Sequence, residues 1–100
     1  MSDTWTYLVP ELLAMLKIDI GIMTKAYDER LKQYIKSSYE AISREGITLN
    51  ADSSEDRQLV IMYSAWMWRR RDSGDGMPRM IRYALNNRLF SEKMRVSTDE

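Results

Sequence analysis

One hundred residues carrying 15 basic and 15 acidic side chains bound this chain to one domain with no formal net charge. Such a balance gives no global attraction toward nucleic acid or an anionic membrane. Cysteine and histidine are both missing, which excludes disulfides and thiolate-held metals and removes the commonest general base and metal ligand.

The first helix is predicted over 7–17, with Leu8, Leu12, Met15 and Leu16 at helical spacing and Leu13 widening the stripe. Pro10 is read as belonging to its first turn, where a missing N–H costs little, with Ser2, Asp3, Thr4 and Thr6 as candidate caps. Gly21 marks a loop. The second helix is predicted over 24–45, capped by Thr24, with Ala26, Tyr27, Leu31, Tyr34, Ile35, Ser38, Ala41 and Ile42 on its apolar side and Gly46 as its stop. Ile47 and Leu49 should tuck back into the core. The third helix is predicted over 54–71, capped by Ser53 or Ser54. Leu59, Met62, Tyr63, Trp66 and Met67 keep the 3.6-residue period, and Val60 and Ile61 broaden the apolar surface, so this helix should be central. Gly74 and Gly76 end it. The fourth helix is predicted over 78–92, with Pro78 as its first residue. Ile81, Ala84, Leu85 and Leu89 should face the core, Met80 its edge and Tyr83 the far side. Amphipathic helices joined by short loops make an all-α bundle of one domain, 1–94, with a flexible tail over 95–100.

No apolar run approaches the roughly 18–20 residues a membrane span needs. The opening MSDTWTYLVP lacks the basic, apolar and small-residue succession of a signal peptide. A soluble, intracellular protein is expected.

The charge is unevenly distributed. From Arg57 to Arg95 nine basic residues face three acidic ones, a local balance of 9 − 3 = +6, so the remainder is net negative. Within the basic part, Arg69-Arg70-Arg71 reads either as a solvated helix end complementing the macrodipole or as a docking patch for acidic protein or phosphate. Trp66 and Trp68 point about 200° apart on a helix. Trp66 is expected inside, leaving Trp68 as an interface anchor or as cover for a loop of its own subunit. Arg79 and Arg82, three apart, make a further basic patch, as on a recognition helix, although the preceding Gly-Asp-Gly turn is long for a helix-turn-helix. Arg88 falls off that line, near the edge of the apolar face. Asn86-Asn87 weaken helix propensity and mark either specific hydrogen bonds or tolerance near a helix end. The eight methionines serve core gap-filling or adaptable contact surfaces. The acidic residues show no metal-loop spacing. No cofactor, metal or catalytic set is expected.

The order of segments LLAMLKID, DERLKQYIKSSYEAI, YSAWMWRRR and MPRMIRYALNNRLF resembles the head–tail connector proteins of tailed bacteriophages, also called adaptor or head-completion proteins, and their prophage copies. The resemblance spans residues 7–93. Its most specific parts are Tyr63 to Arg70 and the Met77-Pro78 start of the last helix. It implies a non-enzymatic subunit of a dodecameric ring beneath the portal, extending the DNA channel and offering a platform for a head-closure or tail-completion protein. The implied partners are copies of itself, the portal and that next component, with non-specific contact to passing DNA and none to membrane. The implied place is the virion head–tail interface, reached from the host cytoplasm. It further implies that the segment from Phe90 onward orders by docking on the portal or a neighbour. Trp68, Arg69, Arg70, Arg71, Arg79 and Arg82 are the candidate interface residues. The alternative is a small helical DNA-binding regulator. A carboxylate enzyme is disfavoured by the missing histidine and cysteine.

Overall fold

Four helices succeed one another: α1 Asp3–Ile20, α2 Asp28–Arg44, α3 Ser54–Arg70 and α4 Arg79–Thr98. This computed structural model describes residues 1–74 and 76–98, the side chains of 96–98 excepted, and there is no strand among the described residues. The all-α reading therefore holds.

α1 begins four residues earlier than its apolar stripe suggested. Ser2 caps it, its hydroxyl accepting from the Trp5 N–H at 3.5 Å. The early start is fixed by Trp5, which is 2 % exposed. Its indole N–H donates to the Leu49 carbonyl at 3.3 Å and its ring lies against Tyr39, centroids 5.3 Å apart. Pro10 consequently lies inside the helix and not in its first turn. It sits on the exposed side, so the carbonyl it cannot serve, that of Thr6, is directed away from the core. Leu12, Leu13 and Leu16 are buried as expected, whereas Met15 is exposed. Gly21, at φ 73°, closes α1 by donating to the Ile18 carbonyl, while Ile22 N–H reaches Lys17. That left-handed turn favours glycine.

α2 starts at Asp28, not at Thr24. The Thr24 hydroxyl instead accepts from Ala26 N–H in a local turn at 3.2 Å. Tyr27 occupies the cap position without a side-chain cap bond, and Asp28 and Glu29 supply the negative charge that the helix N-terminus favours. Asp28 also receives Lys17 Nζ at 2.9 Å, joining the two helices. Leu31, Ile35, Ser38 and Ile42 are buried.

α3 is capped by Ser53, which accepts from Asp56 N–H at 3.2 Å. It packs against each of the other three helices, so it is central, as predicted. Its face is rotated relative to expectation, however. Asp56, Leu59, Val60, Ile61, Ser64, Ala65 and Trp68 are the buried residues, while Met62, Tyr63, Trp66 and Met67 lie at the margin. The rotation brings Ser64 to Ser38 of α2, hydroxyl to hydroxyl at 2.9 Å, and Ser64 also donates to the Val60 carbonyl at 2.7 Å. Small residues at the contact let the two backbones approach while each hydroxyl keeps a partner.

α4 lies chiefly on α3. Ile81 and Leu85 are buried, with Ala84 and Leu89 at the edge of the core. Gly46 ends the α2 segment at φ 101°, and a Cβ there would stand 3.5 Å from Leu89 Cδ1, so the turn abuts α4. Ile47 and Leu49 are buried beneath it, as predicted. The α4 backbone is helical through Thr98, beyond the predicted end at 92. Most of the expected tail falls on positions 96–100, whose side chains lie outside the described residues. The whole is a flattened body of 49 × 30 × 18 Å.

Candidate functional site

The predicted interface residues separate into three environments. The C-terminal turn of α3 gathers the first. Trp68 is buried, 8 % exposed, which corrects its expected exposure. The cause is the rotation of α3: position 68 continues the line 61, 64, 65 that faces α2. There it meets Tyr27 and Tyr34 edge-on, at centroid distances of 5.2 and 6.5 Å. Trp66 takes the marginal position instead, edge-on to Tyr63 at 5.4 Å, its indole N–H donating to the Gly76 carbonyl at 3.2 Å.

Each arginine of the triplet then has a distinct seat. The Arg71 guanidinium lies over the Trp68 ring, 3.7 Å from its centroid, and the Arg70 guanidinium lies over Trp66 at 4.6 Å. Arg69 donates to the Asp19 carbonyl at 3.3 Å. Stacking of this kind leaves the donor edges of a guanidinium available while restricting its rotamers. Among the described residues the triplet's one carboxylate partner is Asp72, 3.8 Å from Arg71. Arg30 of α2 joins the group: Arg30, Tyr34, Met67, Arg70, Arg71 and Asp72 all line an open cleft of about 600 Å³. Two ring-stacked arginines and Arg30 around an open cleft suit carboxylates or phosphates. Arg30 was not singled out from the sequence. It lies far from the triplet in sequence, and the antiparallel packing of α2 on α3 brings it beside Arg70 and Arg71.

α4 holds the other two. Arg82 is committed to Glu45 at the end of α2, through two guanidinium nitrogens, and its Nε donates to Asn86 Oδ1 at 3.2 Å. The Glu45 hydrogen bond holds the guanidinium above its ordinary pKa, against the effect of desolvation. Arg79 is exposed and makes no ion pair among the described residues. The proposed basic patch of α4 is thus reduced to one available cation, and Asn86 serves as a local partner of Arg82.

Compared with known proteins, the chain matches no family model, no curated protein and no solved structure.

A second polar centre was missed by the sequence reading. Asp56, 1 % exposed, receives Arg88 Nε on one oxygen at 2.7 Å, and Arg88 Nη2 (3.2 Å) with the Asn50 N–H (2.7 Å) on the other. Arg88 also donates to the Thr48 carbonyl and to Glu92, each at 2.9 Å, and Glu92 accepts from Arg95 at 2.8 Å. The Asp56 hydrogen bond raises the Arg88 pKa further above its usual range, and the Arg88 hydrogen bond lowers that of Glu92 despite burial. With every buried side-chain nitrogen and oxygen among the described residues partnered, this centre clamps the 45–53 loop between α3 and α4. The available signal was the placement of Arg88 at the edge of the apolar face, where a charged residue needs a buried counterpart.

Proposed function

We propose that this chain is a structural subunit of a phage head–tail connector ring, docking beneath a portal, extending its DNA channel and carrying the next head-closure or tail component. The observation that supports this reading best is the build of the Tyr63–Arg70 segment, the most connector-like part of the sequence. Its aromatic residues hold Arg70 and Arg71 on fixed ring faces beside Arg30 at one end of the molecule. A preorganised cationic end of that kind fits an acidic protein surface, or the phosphates of DNA moving past without sequence readout. The chain acts in this reading as an assembly part, not as an enzyme. The virion is its destination; no described helix is long and apolar enough to cross a membrane.

The DNA-regulator reading requires α4 to present bases with a basic face. Arg82 is engaged by Glu45, and the outward side of α4 carries Met80, Tyr83 and Phe90, which favours a protein contact there.

Light scattering after size exclusion, followed by negative-stain microscopy at high protein concentration, tests the proposal. Closed rings, alone or on a portal, are expected. A stable dimer with base-dependent DNA affinity would overturn it.

A further inference from the structure

Two clefts meet at the C-terminal end of α3. The first is the cationic one already described, in which Arg30 of α2 joins Arg70 and Arg71. The second, of about 290 Å³, has a mainly apolar wall of Trp66, Pro78 and Ile81, with Gly76 beside them. Arg70 and Ser73 border both, so the clefts are two halves of one groove.

The cationic half retains unused donors. Arg30 and Arg70 are exposed, and their guanidinium groups make no hydrogen bond or ion pair among the described residues. Arg70 is nonetheless held in place, because its guanidinium lies over the Trp66 ring at 4.6 Å. Stacking of that kind leaves the donor edge for a ligand. Arg71 is more fully engaged, by the Trp68 ring and carbonyl and by Asp72. Two such guanidiniums match carboxylates, each of which one guanidinium can take bidentately.

The rest of the groove decides what carries those carboxylates. Asp72 lines the cationic half, and the last carbonyls of α3 give that end a negative partial charge. Both oppose a pure polyanion such as a phosphate backbone, whereas Asp72 also accepts from N–H donors. The apolar half offers a phosphate nothing. A peptide supplies all three partners: carboxylates, backbone N–H groups and an apolar side chain. A helical peptide keeps its N–H groups internally bonded, so the occupant is extended. Every described acidic residue of this chain lies in a helix or a turn, which assigns the extended segment to a different protein.

Resting on the portal-docking reading above, we propose that this groove binds an extended acidic and apolar segment of a partner protein. Its carboxylates meet Arg30 and Arg70, a backbone N–H meets Asp72, and an apolar side chain enters between Trp66, Pro78 and Ile81. Arg70 stands in the wall of both halves, so the acidic and apolar positions are neighbours in the bound segment.

The probe is a short fluorescent peptide in which two aspartates precede leucine and phenylalanine between glycine and serine flanks, used beside a second peptide of reversed order. Anisotropy titrations with the whole chain should show saturable binding of one of them. Exchanging its aspartates for asparagine, or its leucine and phenylalanine for serine, should each weaken binding at least about tenfold. Arg30→Ala and Arg70→Ala should do the same, with the urea midpoint of Arg30→Ala unchanged. Gly76→Glu tests the apolar half without disturbing the fold, since a Cβ there meets nothing within 4 Å and its φ is not left-handed; it should also weaken binding. No binding of either peptide up to about 1 mM would overturn the proposal. So would displacement by an equal concentration of duplex DNA, in favour of nucleic acid, or wild-type self-association that is lost in Arg30→Ala, in favour of a second copy. Rings in the microscope without peptide binding would remove this groove and leave the connector reading standing. Peptide binding by a protein that forms no ring, alone or on a portal, would keep the groove and remove the connector reading.

Discussion

Arg88 is the side chain on which most of the polar order depends. It satisfies both oxygens of buried Asp56, a loop carbonyl and Glu92. Replacing Arg88 with Met leaves Asp56 as an uncompensated charge in a site that is 1 % exposed, and a destabilisation of about 3–5 kcal/mol is expected in urea unfolding. The double variant Arg88→Met/Asp56→Leu should recover part of that loss; strictly additive effects would show that the two groups do not act as a pair. Glu92 adds a pH dependence. Its pKa is lowered from 4.5 first by the Arg88 hydrogen bond, with Thr48 and Arg95 assisting. The folded chain therefore binds this proton less readily than the unfolded chain. The stabilisation is complete above the unfolded value and is lost as pH falls through the lower folded one. The stability gap between wild type and Glu92→Gln should narrow as pH falls below 4.5, and a gap that stays constant would assign Glu92 no ionic role. Only the edge position of Arg88 was legible in the sequence; its partner was not, because Asp56 is 32 residues from Arg88 and resembles an ordinary first-turn acid of a helix.

At the scale of the element, helix existence was legible throughout and rotation was not. α3 has bulky apolar residues on more than half of its circumference, so the period alone left its inward direction open. The reading favoured 59, 62, 63, 66 and 67, and so buried Trp66. The packed helix chose the line through Val60, Ser64 and Trp68, because the small Ser64 admits Ser38 and the ring of Trp68 fills the space between Tyr27 and Tyr34. A serine on an apolar helix face was the signal for close approach, and the large neighbours concealed it. The corrected assignment has a measurable consequence. Trp68→Ala should cost about 3–5 kcal/mol in unfolding experiments, and Trp66→Ala distinctly less. The opposite ranking would restore the sequence-based rotation. α1 shows the same conflict between signals. Pro10 suggested a start near residue 7, whereas Ser2 and the burial of Trp5 fix the start at Asp3.

At the scale of the whole molecule, the linear separation into an acidic part and a basic part is largely folded away. Arg82 reaches Glu45, Arg88 reaches Asp56, and Arg57 approaches Glu11 at 4.0 Å. Each of these pairs crosses from the basic stretch to the acidic one, so three of the cations counted in sequence hold the subunit together and have little left for a partner. What survives at the surface is local: Arg30, Arg70 and Arg71 around the cleft at the end of α3 with Arg69 next to them in sequence, and Arg79 with Lys93 along α4. That residue-level distribution, not net charge, decides the behaviour toward polyanions. Three to four clustered cations give weak duplex-DNA binding that is independent of base sequence, with log K falling against log salt at a slope of about −3. Arg69→Glu/Arg70→Glu should abolish that binding at a cost of about 1 kcal/mol in unfolding free energy, since neither residue makes an ion pair among the described residues and what is lost is the Arg70–Trp66 stacking and the Arg69–Asp19 hydrogen bond. Arg82→Glu should do the reverse. It sets two carboxylates against each other at the α2–α4 contact, lowering stability and leaving the DNA slope almost unchanged. Fluorescence-anisotropy titrations over a range of salt concentrations, run beside thermal melts of the same three proteins, separate the two outcomes. DNA binding that survived loss of Arg69 and Arg70 but vanished with Arg82 would move the nucleic-acid surface to α4 and favour a recognition helix over a channel wall.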